Sequence, residues 1–110
     1  MMRMAMSPAA SGLLRGLVRR AGCSRDRILL TEHRSVEWQS LTFVGERHQL
    51  QLRIVGAEAA AIAARMTSGI KDAEFAISGH IVADVACEGE PQPASDGSVT
   101  LRIEALTIEE

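Results

Sequence analysis

Aromatic side chains are nearly missing from this chain: it has Trp38, Phe43 and Phe75, and no tyrosine. A platform for stacking nucleic-acid bases needs several such rings beside basic residues, so nucleic-acid binding is not expected. The core must instead be built from aliphatic residues and alanine. Lysine is equally scarce, with Lys71 alone among twelve basic residues, a bias that fits a GC-rich bacterial genome. No apolar run approaches the ~18 residues that a membrane-spanning helix requires. The two cysteines, Cys23 and Cys87, form no C-x-x-C pattern, so two free thiols in a reducing cytoplasm are expected. No glycine-rich phosphate loop is present: "VGERH" is a turn, and "SDGS" has no helix after it. No histidine or cysteine spacing suits a metal, so neither metal nor cofactor is expected.

What is present divides unevenly. Residues 1–25 carry Arg3, Arg15, Arg19, Arg20 and Arg25 and no acid, so the formal charge of −2 splits into +5 on this head and −7 on the remainder. Two parts follow: a basic N-terminal segment, 1–25, and a single α+β domain, 26–110. The arginines interrupt the apolar stretch too often for a secretory signal, and Arg20 sits where a lipoprotein cleavage box needs an apolar residue. Composition does match an organelle transit peptide. A short amphipathic helix also fits, with Ser7 as cap, Pro8 in the first turn and Gly22 as stop. Leu13, Leu14, Leu17, Val18 and Ala21 then share one face. That face has three outcomes: docking on the domain, peripheral contact with an anionic membrane through residues 8–22, or disorder. The clustered Met1, Met2, Met4 and Met6 leave the start of translation open.

The body reads as hairpin, helix, hairpin. "SVEWQSLTFVGERHQLQLRIV", residues 35–55, alternates in two runs around a turn at 44–46. Matching the apolar faces sets Trp38 opposite Leu52, Val36 opposite Ile54 and Glu37 opposite Arg53. "AEAAAIAARMTSGI", residues 57–70, is a helix with Ala59, Ile62, Ala63 and Met66 on its buried face and Gly69 as its stop. Residues 74–88 alternate again, with Gly79 marking a bend. After the loop "EGEPQPASDG", Val99, Leu101, Ile103 and Ala105 continue the pattern. Here the expected register opposes Val85 to Leu101 and pairs Asp84 with Arg102. The fold expected is an antiparallel sheet of four strands with one helix on a face, and a fifth short strand at 27–31 as an alternative. Leu41, Phe43, Leu106 and Ile108 have the opposite parity, so they either follow bulges or line a second sheet face. If they line it, the head helix or another copy of the chain must cover them. The long hairpin edges add to the expectation of a homodimer, with another protein partner as an alternative.

Candidate chemistry is thin. His80 and Asp84 would be neighbours in a helix, but in a strand four residues span ~13 Å, and the β-branched residues around them favour a strand. Cys87 falls on the apolar face and reads as a small hydrophobe. Glu104 lies where the alternation slips near 104–106, and a bulge there would re-aim it toward a site. His48, His80 and Glu104 are therefore the candidates for a small-ligand or catalytic site, with Asp84 beside them; His33 joins only through tertiary folding. The leading expectation is a cytoplasmic, non-enzymatic self-association or protein-interaction module. The alternatives are that polar site and a membrane-surface or targeting role for the basic head.

Overall fold

Ser7 and Gly22 bracket the first helix as expected. In the structure, a computed structural model that describes residues 5–110, α1 runs from Pro8 to Ala21. Met1, Met2, Arg3 and Met4 lie outside the described residues, and with them the question of the start. Ser7 Oγ accepts from the Ala10 amide at 3.1 Å, and Gly22 closes the helix in the left-handed region at φ 66°, where a residue without Cβ is least strained. Leu13, Leu14, Leu17 and Ala21 are buried in the common core. Burying each leucine contributes on the order of 2 kcal/mol, so the head is docked and belongs to the same core as the body.

A single 3-10 turn at Arg25–Arg27 leads into β1, Ile28–Gln39, which turns back through residues 40–43 into β2, Val44–Ile54. Helix α2, Ala59–Thr67, follows, then a 3-10 turn at Ile70–Asp72. Strands β3 (His80–Cys87), β4 (Gln92–Pro93) and β5 (Val99–Glu109) complete the chain. All pairing is antiparallel, in the order β1-β2-β5-β3, with β4 also bonded to β5. The two hairpin regions therefore join through β2 and β5, which form the centre of the sheet. Both helices pack on one face, against Leu50, Leu52, Ile54, Leu101 and Ile103. Thus the α+β antiparallel architecture holds, with two helices on the sheet instead of one. The expected strand at 27–31 is the start of β1, and the fifth strand is the two-residue β4.

Two arginines fasten the helices to each other. Arg20 of α1 donates to the carbonyls of Met66 (3.0 Å) and Ser68 beyond the end of α2, while Arg65 of α2 donates to the Ala21 carbonyl at the end of α1 (3.0 Å). Each guanidinium thus meets the negative end of the other helix dipole and satisfies carbonyls the helix leaves unpaired. α1 also carries Gly12 and Gly16 one turn apart. A Cβ on Gly12 would lie 2.8 Å from Ile77, and one on Gly16 2.4 Å from Phe75. The missing side chains make the groove that seats the segment before β3.

Both expected hairpin registers are wrong, for identifiable reasons. The first turn lies at 40–43, where Ser40 N donates to the Phe43 carbonyl and Ser40 Oγ accepts from the Phe43 amide. Trp38 therefore opposes Gly45, Val36 opposes Arg47, and Glu37 opposes Glu46 instead of Arg53. A bulge between Leu30 and Glu32 then moves Val36 and Trp38 off the helix side: Ile28 and Leu30 share the face of Ile54 and Leu52, but beyond the bulge Ser35 takes the place opposite His48. In the second region, β3 starts only at His80, because Ile77 and His80 close a tight turn through Gly79 at φ 76°. The register is shifted by four residues from the expected one: Val85 opposes Ala105 and Asp84 opposes Leu106, so the Asp84–Arg102 pair does not form. The slip near 104–106 is no bulge. β5 runs unbroken with Val99, Leu101, Ile103, Ala105 and Thr107 all buried on the helix side. The bulge lies in β3, between Val82 and Asp84, and turns Ile81 outward.

Candidate functional site

The sheet presents two surfaces with chemical groups, one on each face. On the helix side, beyond the leucine core, His48 is 1 % exposed and Thr107 is fully buried. β1 places Ser35 opposite His48, and β5 places Thr107 beside it. The imidazole is held at both nitrogens: Ser35 Oγ lies 2.8 Å from Nδ1, and Thr107 Oγ1 lies 2.8 Å from Nε2. A neutral imidazole has one donor and one acceptor, and a hydroxyl serves as either, so the chain Ser35–His48–Thr107 is satisfied without charge. Burial lowers the pKa of His48, with the Glu46 carboxylate pulling the other way and His80 adding to the lowering. No buried side-chain polar atom among the described residues lacks a partner.

Near this chain, a cleft of about 250 Å³ is lined by Glu37, Glu46, His80, Thr107 and Glu109 among others. His80 opposes Glu109 across β3 and β5, and its Nδ1–H donates to the Ser78 carbonyl at 3.0 Å. Among the described residues, no group of three His, Cys, Asp or Glu side chains is placed to hold a metal ion. Ser35 and His48 are within the reach that an activated hydroxyl requires. Yet both ring nitrogens already carry hydroxyls, leaving no carboxylate to orient the ring, and desolvation makes it a weaker base.

The opposite face is open. Beyond the bulge, β1 turns Glu32, Arg34, Val36 and Trp38 outward, and β2 contributes Gly45, Arg47, Gln49 and Gln51. β5 adds Arg102, Glu104, Leu106 and Ile108; β3 adds Ile81, Asp84 and Ala86. Neither helix lies on this side, since both are packed into the core on the other. Its far end is apolar: Trp38, Leu106 and Ile108 are half-buried, while Val36 is 46 % and Ile81 54 % exposed. Phe43 and Val44 at the hairpin end are also exposed large hydrophobics. Next to that end lie charged residues, Arg34 and Arg47 on the β1–β2 side and Asp84 and Glu104 on the β5–β3 side, around a depression of about 310 Å³. Where the face turns polar, Gln49 and Gln51 bridge to Glu104 (3.4 Å) and Thr31 (3.1 Å), and Arg102 donates to Gln51 at 3.1 Å.

The sheet therefore separates the residues singled out from sequence. His48 and His80 share the helix side, whereas Glu104 and Asp84 are on the open face, so the trio His48, His80 and Glu104 does not converge. His33 is exposed, on the helix side opposite Leu50. Cys23 and Cys87 are free and half-buried, and burial pushes the Cys87 thiol up, away from the reactive thiolate. Sequence reasoning missed Ser35 and Thr107 as partners of His48. Thr107 did leave a signal, a polar residue in phase with Ile103 and Ala105; Ser35 left none without the β1 bulge. Comparison with known proteins found no matching family model, no similar curated protein and no similar solved structure.

Proposed function

We propose that this chain is a non-enzymatic association module whose working surface is the open face of the sheet. The observation that carries the proposal is the apolar end of that face: Val36, Trp38, Ile81, Leu106 and Ile108 lie together on a face that neither helix covers. Sheets in which one face is wet carry polar residues on that face. Five apolar side chains from three of the four strands, in register at one end of the sheet, break that pattern, and patches of this kind mark contact surfaces. Site chemistry points the same way. The helix-side histidine is tied into a satisfied polar chain, and the carboxylates expected to join it lie on the other face. Membrane attachment through α1 loses its support, because Leu13, Leu14 and Leu17 are already covered by the core. No described helix is long and apolar enough to cross a membrane, and the two unpaired thiols fit work in the cytoplasm, where thiols stay reduced.

The experiment is a mass measurement by light scattering across protein concentration, on the wild type and on Ile81→Lys. Ile81 is exposed, so the substitution leaves the core intact. The wild type is expected to gain mass as concentration rises from ~1 to ~100 μM, a range matching modest interfaces, and Ile81→Lys to stay monomeric. A wild type that is monomeric throughout would remove self-association; equal association of both proteins would remove the open face as its seat.

A further inference from the structure

We infer that the partner fitting this face is a second copy of the chain, docked face to face about a two-fold axis running parallel to the strands. The inference rests on the proposed function and adds the geometry. Two-fold contact between two sheets has two simple forms, with the axis in the interface plane either along the strands or across them. An axis along the strands lays the β1–β2 side of one copy over the β5–β3 side of the other and keeps each row of residues at its own height. Trp38 of one copy then meets Ile81 of the other, and Gly45, without a side chain, leaves room for Ile108. In the next two rows Arg47 of one copy comes over Leu106 of the other, with Asp84 one strand away, and Arg34 comes over Ala86, with Glu104 one strand away. Each arginine is thus within reach of a carboxylate of the other copy. An axis across the strands fails on both counts. Through the middle of the face it lays the apolar end over the polar rows of Glu32 and Arg102, and placed at the apolar end it overlaps only part of the face. In either position each β1–β2 side lies over its own copy, so the arginine-bearing sides face each other, away from Asp84 and Glu104.

The area is adequate. Four strands ~4.8 Å apart and about ten residues long, at ~3.3 Å per residue, give a footprint on the order of 600 Å². With the relief of a pleated surface, that approaches the roughly 800 Å² per partner of a stable interface. Sheets stacked this way keep their strands within about 30° of one another.

The test is a charge swap. In one protein Arg34→Glu and Arg47→Glu make the charged strip beside the apolar end wholly acidic; in the other Asp84→Arg and Glu104→Arg make that strip wholly basic. All four positions are exposed, and circular dichroism and melting of each variant check the fold, with Arg47→Glu and Asp84→Arg alone as the gentler pair. Each variant by itself is expected to dimerise at least ~10-fold more weakly than wild type, because like charges face each other twice. A one-to-one mixture restores both opposite-charge contacts and is expected to recover affinity to within ~3-fold of wild type. A mixture as weak as its components, with a wild type that dimerises and an Ile81→Lys that does not, overturns the along-strand arrangement and leaves the proposed function standing. A wild type that never dimerises overturns both.

Discussion

Replacing His48 by glutamine should flatten the dependence of stability on pH. In the folded protein the imidazole is enclosed, bonded to Ser35 and Thr107, and its pKa lies below the ordinary value because burial disfavours the cation. In the unfolded chain it titrates near ~6.5. Stability from this group is therefore fully present above the unfolded pKa. It is lost as pH falls, because between the two pKa values the unfolded state holds one more proton than the native state. The slope in that window cannot exceed about 1.4 kcal/mol per pH unit, and the loss between about pH 7.5 and 5.5 has a ceiling of about 1.4 kcal/mol. Glutamine reaches Thr107 with an amide that does not titrate, while Ser35 is half-buried and can turn to water, so the neutral-pH cost should stay near 1 kcal/mol. Leucine would leave the buried Thr107 hydroxyl unpaired and cost about 1–3 kcal/mol. The assay is urea unfolding of wild type and His48→Gln at several pH values above the carboxylate range. His33 and His80 are common to both proteins, so the difference in slope isolates His48. Parallel pH profiles would refute the assignment of a neutral, desolvated imidazole.

Two further substitutions test the packing. Gly45 sits where a Cβ would lie 2.0 Å from the Thr107 carbonyl oxygen; because that obstacle is backbone, Gly45→Ala must disturb the β2–β5 ladder and should cost about 2–3 kcal/mol in chemical unfolding. Gly12→Leu would drive a side chain into buried Ile77, and despite the better helix propensity of leucine, worth ~1 kcal/mol, it should lower the melting temperature. A Gly12→Leu protein as stable as wild type would show that the segment before β3 is not seated on α1.

The elements that could be read from sequence are those whose signals are local. Ser7, Pro8 and Gly22 mark α1 through the chemistry of helix ends; Ala59, Ile62, Ala63 and Met66 mark the face of α2 by spacing alone. β5 is legible over Val99–Ala105, where odd positions alternate, but Leu106 and Ile108 made its end read as a slip because the open face there is apolar. The errors fell where one added residue reverses the parity of a strand. The bulges at Thr31 and Ala83 have no glycine or proline to announce them, and each transfers everything beyond it to the other face. That is why Val36 and Trp38 read as core, and why Ile81 was expected inside. The opposite error grouped His48 with Glu104: a bulge near 104–106 was expected to re-aim Glu104, but β5 is unbroken and leaves the two on opposite sides of the sheet. For Leu106 and Ile108 parity alone leaves two outcomes, a bulge or a second face, and the unbroken β5 decides for the second face.

Trp38 provides the most direct probe of the central claim, because it is the chain's single tryptophan and it stands in the apolar end of the open face. Its emission should be measured on the isolated protein over concentrations from ~0.1 to ~100 μM. If this face closes against a second copy, the emission maximum moves to shorter wavelength as concentration rises, and Ile81→Lys abolishes the shift. A wild-type spectrum that stays constant across the whole range, typical of a half-exposed indole, would contradict the account.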